Sequence, residues 1–200
     1  MSLRTVPYVI AEYGKIKEEF PEFKNVLETL RADLIAKAEA DWAPLKFGGV
    51  DAKAGQFSMT TIMPQLFADN TGTRMTTWRQ TFTSTGAQTI MTGVGSGGVI
   101  PEDFKVGLAG IAFLDKVLRV SEIKMQISDK KLPRINIEEA MAYEKPAIVF
   151  EEGYILDEEA AFELIGYVMT QGPQTIKLIG FQLNRVPNKL QVTDTGAALA

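Results

Sequence analysis

The chain of 200 residues has no cysteine and no histidine. Without thiolate or imidazole there is no zinc site of the usual ligand sets, no Ser-His-Asp or Cys-His relay, and no imidazole general base. For chemistry this leaves a carboxylate pair, a lysine nucleophile, a Ser-Lys pair, or Mg²⁺ or Ca²⁺ held by oxygen ligands. No disulfide can brace the fold, so stability rests on packing, and cysteine usage says nothing about compartment. An excess of charge is lacking too. Twenty-one Lys and Arg against 25 Asp and Glu leave a formal net charge of -4 and a pI near 5.1. That is not the basic field nucleic-acid binding calls for, although a local basic face stays open. Long hydrophobic runs are missing as well. The longest uncharged apolar run, 106–114, is less than half a membrane span, and the first residues lack the charged-then-apolar pattern of a signal peptide. The expectation is a chain neither secreted by that route nor inserted in a bilayer.

What is present is a hydrophobic share of 46%, enough for one core of ordinary size. The character changes once, near residue 46. Val9, Tyr13, Ile16, Phe20, Phe23, Leu27, Leu30 and Leu34 recur at alternating spacings of four and three, a heptad seam with a helical period. Pro21 interrupts it, which predicts a kink or two helices with Pro21 in the first turn of the second. That second helix is expected over roughly 22–40, stopping before Trp42-Ala-Pro44. The seam has two readings: the helices lie over their own sheet, or they pack on a neighbouring subunit through Phe20, Phe23, Leu27, Leu30 and Leu34.

After residue 46 the texture is that of a β protein. Phe57, Met59, Thr61 and Met63 alternate with polar or small neighbours, as do Ile123, Met125 and Ile127, then Ile135 and Ile137. Further strand-like segments run over 75–92, 147–150, 154–156, 162–169 and 175–186. Gln171-Gly172-Pro173-Gln174 reads as a hairpin connection between the last two long strands, and the change of apolar phase at Gly180 reads as a β-bulge. About eight strands without helical crossovers argue for an antiparallel β-sandwich, with jelly roll as the preferred topology. The expected organisation is an N-terminal helical arm (1–46), a sandwich (47–186) and a C-terminal tail (187–200).

Thr92 to Pro101 reads TGVGSGGVIP and spells Gly93-x-Gly95-x-x-Gly98. A dinucleotide-binding turn needs a helix opening at its third glycine to present N–H groups to the pyrophosphate. Val99-Ile100-Pro101 leaves no room for one, so a loop between two strands is favoured. Between Glu138 and Glu163 nine carboxylates accompany one basic residue, Lys145. A Ca²⁺ site or a carboxylate dyad is weighed against solvated strand ends, which are favoured because neighbours on a strand point to opposite faces. Just upstream, Lys116, Arg119, Lys124, Lys130, Lys131 and Arg134 outnumber Asp115, Glu122 and Asp129. Two surfaces of opposite sign suit head-to-tail self-association, and ordinary mixed surface accounts for them equally well. Trp42, Trp78, Tyr143, Tyr154 and Tyr167 are weighed as a sugar-stacking platform against packing anchors.

The segments VGLAGIAFL, IKMQIS, PAIVFEEGYIL, AFELIGYVM and QTIKLIGFQLNRV, with the helical or extended N-terminal segment and the C-terminal tail, resemble single jelly-roll viral capsid proteins. The resemblance is of fold-level pattern over residues 50–186 and carries no functional residue. It implies a structural coat subunit; an enzyme ranks last because the residues most mechanisms need are missing, and no catalytic, cofactor or metal residue and no small-molecule substrate is assigned. Its partners would be copies of itself and other shell proteins, and its place the virion, or the cytoplasm before assembly. The missing basic arm speaks against direct genome binding and fits a lining that meets a membrane or another protein. The alternative is a carbohydrate-binding, lectin-like sandwich aided by Ca²⁺.

Overall fold

The computed structural model describes residues 7–42 and 57–185. In chain order the elements are β1 (Tyr8–Glu12), α1 (Ile16–Glu19), α2 (Phe23–Trp42), β2 (Phe57–Thr61), β3 (Phe67–Ala68), β4 (Arg79–Phe82), β5 (Gly86–Gly93), β6 (Phe104–Phe113), β7 (Val120–Ile127), β8 (Lys130–Lys131), β9 (Ile135–Asn136), β10 (Pro146–Leu156), β11 (Phe162–Val168) and β12 (Gly172–Arg185). Two antiparallel sheets pack face to face as a β-sandwich. The first has the order β1-β10-β6-β12-β2, with β4 paired to the start of β12; the second has the order β3-β5-β11-β7-β8, with β9 also on β7. The tail expected at 187–200 lies outside the described residues, as do 1–6 and 43–56.

The central core lies between the sheets. Val106, Leu108, Ile111, Phe113, Ile148, Phe150, Ile176 and Leu178 of the first sheet meet Ile90, Ile123, Met125, Phe162 and Leu164 of the second. The outer face of the first sheet is also covered, by α2. This is why β6 and β10 read as near-continuous apolar runs: both their faces are buried. α2 contains four alanines among strong helix formers and no Gly or Pro, and it buries Phe23, Leu30, Leu34, Ala38 and Trp42. It settles close because the sheet offers small residues beneath it. A Cβ added at Gly153 would lie 2.6 Å from Leu30 Cδ1, and one at Gly107 would lie 3.1 Å from Leu30 Cγ.

Three expectations are corrected. The seam is not helical from Val9: Tyr8–Glu12 is a strand paired along β10. Tyr8 and Ile10 turn to the inter-sheet core while Val9 and Ala11 turn to the helix, so a period-two strand buried on both faces imitates a heptad. Pro21 precedes α2 instead of opening it, in a turn closed by Phe23 N–H donating to Phe20 O at 3.0 Å. The 171–174 segment is no hairpin, because β11 and β12 belong to different sheets and Pro173 and Gln174 already pair with β4.

The register irregularity expected at Gly180 is there, with the extra residue on the partner strand. Ile179 pairs with Gly110 and Gly180 with Leu108, leaving Ala109 unpaired, while β12 keeps its alternation. The same residue faces a larger irregularity on β10. Between the pairs Val149·Gly110 and Tyr154·Leu108, β10 carries four residues, Phe150 to Gly153, against the single Ala109. Glu151 and Glu152 are thereby thrust outward.

Gln80 in β4 is 6% exposed, and neither its side-chain nitrogen nor its oxygen has a partner among the described residues. Burying an unpaired amide opposes folding, so Gln80→Met, which keeps the volume, is expected to raise the unfolding free energy by about 1 kcal/mol. A thermal or denaturant melt checks this, and a comparable loss of stability would show that the amide is satisfied.

Candidate functional site

Polar structure concentrates where α2 meets the first sheet. Lys105, at the start of β6, has the phase of Gly107 and points under the end of the helix with no solvent exposure. Its Nζ bonds Asp41 Oδ2 of α2 at 2.7 Å, bonds Asp157 Oδ1 beyond the end of β10, and has Glu158 Oε1 at 3.8 Å. Lys37, one turn before Asp41, reaches Asp41 Oδ2 at 3.0 Å and Asp157 Oδ2 at 2.8 Å. Trp42 lies alongside, its Nε1–H donating to Glu158 Oε1 at 3.0 Å and its ring 5.0 Å from Lys105 Nζ. Hydrogen bonds from Lys105 and Lys37 hold the Asp41 carboxyl below its ordinary range. At Asp157 burial pushes the other way and the same two lysines outweigh it, so this carboxyl is lowered too. Lys37 is raised by its hydrogen bonds to Asp157 and Asp41. An amine clasped by carboxylates is no free nucleophile, so the cluster fixes the helix end to the sheet.

Farther along the same seam an open groove of about 680 Å³ runs between the first half of α2 and the bulged part of β10. Phe20, Val26 and Leu30 supply its apolar floor; Glu22, Asp33, Glu151 and Glu152 supply charge, and no basic side chain lines it. Among the described residues none of these four carboxylates is in an ion pair. The opposite charge projects from the edge of the second sheet. There β7 and β8 join through the two-residue turn Ser128-Asp129, with Ser128 at φ +52° and its N–H donating to Ala161 O at 2.7 Å. Lys130 and Lys131 stand exposed at this tip, without partners among the described residues.

Of the seam candidates, Phe23, Leu30 and Leu34 are buried, and Phe20 and Leu27 pack partly buried, all against their own sheet. The helices thus lie over their own sheet, as in the first reading of the seam, while Phe20 and Leu27 keep part of their surface open. Arg119 does not join the basic surface: it donates to the Pro173 and Gln171 carbonyls at 3.0 and 2.6 Å and clamps the crossover into β12. Arg134 pairs with Glu122 at 2.8 Å.

The glycine segment is a tight loop with Gly97 and Gly98 at positive φ, closed by Gly95 N–H donating to Val99 O at 2.8 Å, and no helix follows it. Of the acidic stretch, Asp157 and Glu158 belong to the lysine cluster. Among the described residues no group of three or more carboxylates is arranged to hold a metal ion. Of the five large aromatics weighed for stacking, Trp42 is buried, Trp78 packs on Phe67 at 6.0 Å, Tyr154 packs edge-on to Phe150, Tyr143 is half-buried, and Tyr167 alone is exposed. No helix among the described residues is long and apolar enough to cross a membrane.

Lys105, Lys37 and Asp41 carry no motif. The one signal available was a lysine at the head of the most apolar strand, in the phase of its small residues, where a charge is buried only if paired. Comparison with known proteins finds no family model, no curated protein and no solved structure that matches the chain.

Proposed function

We propose that this protein is a self-assembling coat or shell subunit built on a jelly roll. The topology is supported by four strand pairs that read as one long ribbon wound into a sandwich: β2 with β12, β5 with β11, β6 with β10, and β7 with β9. Taking those eight strands alone, the chain order gives first-eighth, second-seventh, third-sixth and fourth-fifth pairing, the double Greek key of jelly rolls. Strands β1, β3, β4 and β8 are additions at the edges and ends.

Fold alone does not select a function. The observation that carries the assembly reading is four unpaired carboxylates gathered in a groove, against a projecting tip on which Lys130 and Lys131 outnumber Asp129. Carbohydrate binding is the weaker proposal, since a stacking platform needs several exposed rings and Tyr167 is the one aromatic among those weighed that is exposed. The subunit reading predicts large closed particles, tubes or rings by light scattering and negative-stain microscopy of the purified protein, with assembly depending on ionic strength. A monomer at every salt and protein concentration would overturn it.

A further inference from the structure

We propose that the Lys130-Lys131 tip of one copy docks in the acidic groove of the next, and that this head-to-tail contact joins the subunits. The inference rests on the coat-subunit reading and names the contact that reading requires. Within one copy the two features lie in different layers: the groove is on the outer face of the first sheet, and the tip ends an edge of the second. A contact between unlike surfaces passes from copy to copy and closes into a ring or shell when the rotation allows.

Shape and net charge agree, since at the tip Lys130 and Lys131 outnumber Asp129. A two-residue hairpin turn is narrow and convex; the groove is concave and open at about 680 Å³. Adjacent on a strand, Lys130 and Lys131 leave the ribbon on opposite sides, one toward Glu151 and Glu152 on the β10 wall and the other toward Glu22 and Asp33 on the α2 wall, with their methylene stems along the partly open Val26 and Phe20. Both parts are shaped in advance, which reduces the ordering cost of association. The tip is held by Ser128 N–H on Ala161 O, and the groove wall is the β10 bulge, seated on Leu30 at Gly153. Because these charges are exposed in the separate subunit, they act on register and encounter rate and are screened by salt.

The test uses the full chain in three charge variants: Glu151→Lys with Glu152→Lys, Lys130→Glu with Lys131→Glu, and all four together. Circular dichroism melts should match the parent, since all four positions are exposed. Each reversal alone places like charges in contact and is expected to raise the concentration needed for assembly by about tenfold or more. The fourfold swap should restore assembly to near the parental level. If the parent assembles and either single reversal leaves assembly unchanged, or the fourfold swap fails to rescue it, the tip-in-groove contact is refuted while the coat reading stands. If the parent itself never assembles, both fall together.

Discussion

Replacing Asp41 and Asp157 together by asparagine is expected to lower the unfolding free energy by about 3–5 kcal/mol, while Lys105→Met costs less than half as much. The asymmetry follows from which partner is buried. Lys105 has no exposed side-chain surface, whereas Asp41 and Asp157 are about one-third exposed. Deleting the carboxylates strands a cation in the interior, with Glu158 already engaged by Trp42 and by the Asp103 N–H. Deleting the amine leaves carboxylates that water and Lys37 still serve. Methionine also keeps the aliphatic volume beneath the helix end. Urea titrations of the two variants decide the matter, and equal losses would refute a cost set by the buried cation.

The same cluster gives a pH dependence whose sign is fixed. Asp41 and Asp157 are lowered in the folded chain relative to an ordinary value of 3.8. Their contribution is complete above that unfolded value and is lost as pH falls through the folded values, so it adds steepness to acid unfolding below about pH 4. Lys37 is raised above 10.5, so its share is present below that pH and fades as pH climbs past its folded value. In the double asparagine variant the acid limb should flatten.

The sandwich and the body of α2 were readable because Ile123, Met125 and Ile127 alternate cleanly and because no Gly or Pro falls between Phe23 and Trp42, although the helix runs on to Trp42, past its expected end at residue 40. β1 was misread because burial on both faces erases the polar half of a strand pattern, leaving Val9 free to extend a helical count. The groove was half legible. Glu151 and Glu152 fall within the acidic stretch 138–163 that the sequence displays, but their facing Glu22 and Asp33 depends on how four residues of β10 arch over one residue of β6, which no local pattern encodes. Arg119 counted as surface charge although two carbonyls hold it in place, since a crossover between sheets looks like a hairpin in a one-dimensional string.

Gly180→Ala is expected to cost about 4 kcal/mol or more and to leave little folded protein at 37 °C, because two independent penalties coincide there. Its φ of +147° is a conformation that side chains disfavour, and an added Cβ would sit 2.0 Å from Gly107 O. That oxygen belongs to β6, the central neighbour of β12, and cannot withdraw alone: Phe181 pairs with Gly107, and Leu30 rests on the same glycine. Gly72 separates the two penalties. It has φ +79° with nothing within 4 Å of an added Cβ, so Gly72→Ala incurs the conformational cost of about 1–2 kcal/mol without the clash. Melts of the two variants side by side therefore measure the close approach itself, and equal losses would show that β6 yields. A yielding β6 would also loosen the wall beneath Leu30, since Gly107 and Gly153 both lie under that side chain, and the acidic groove would lose its shape along with the sheet's register.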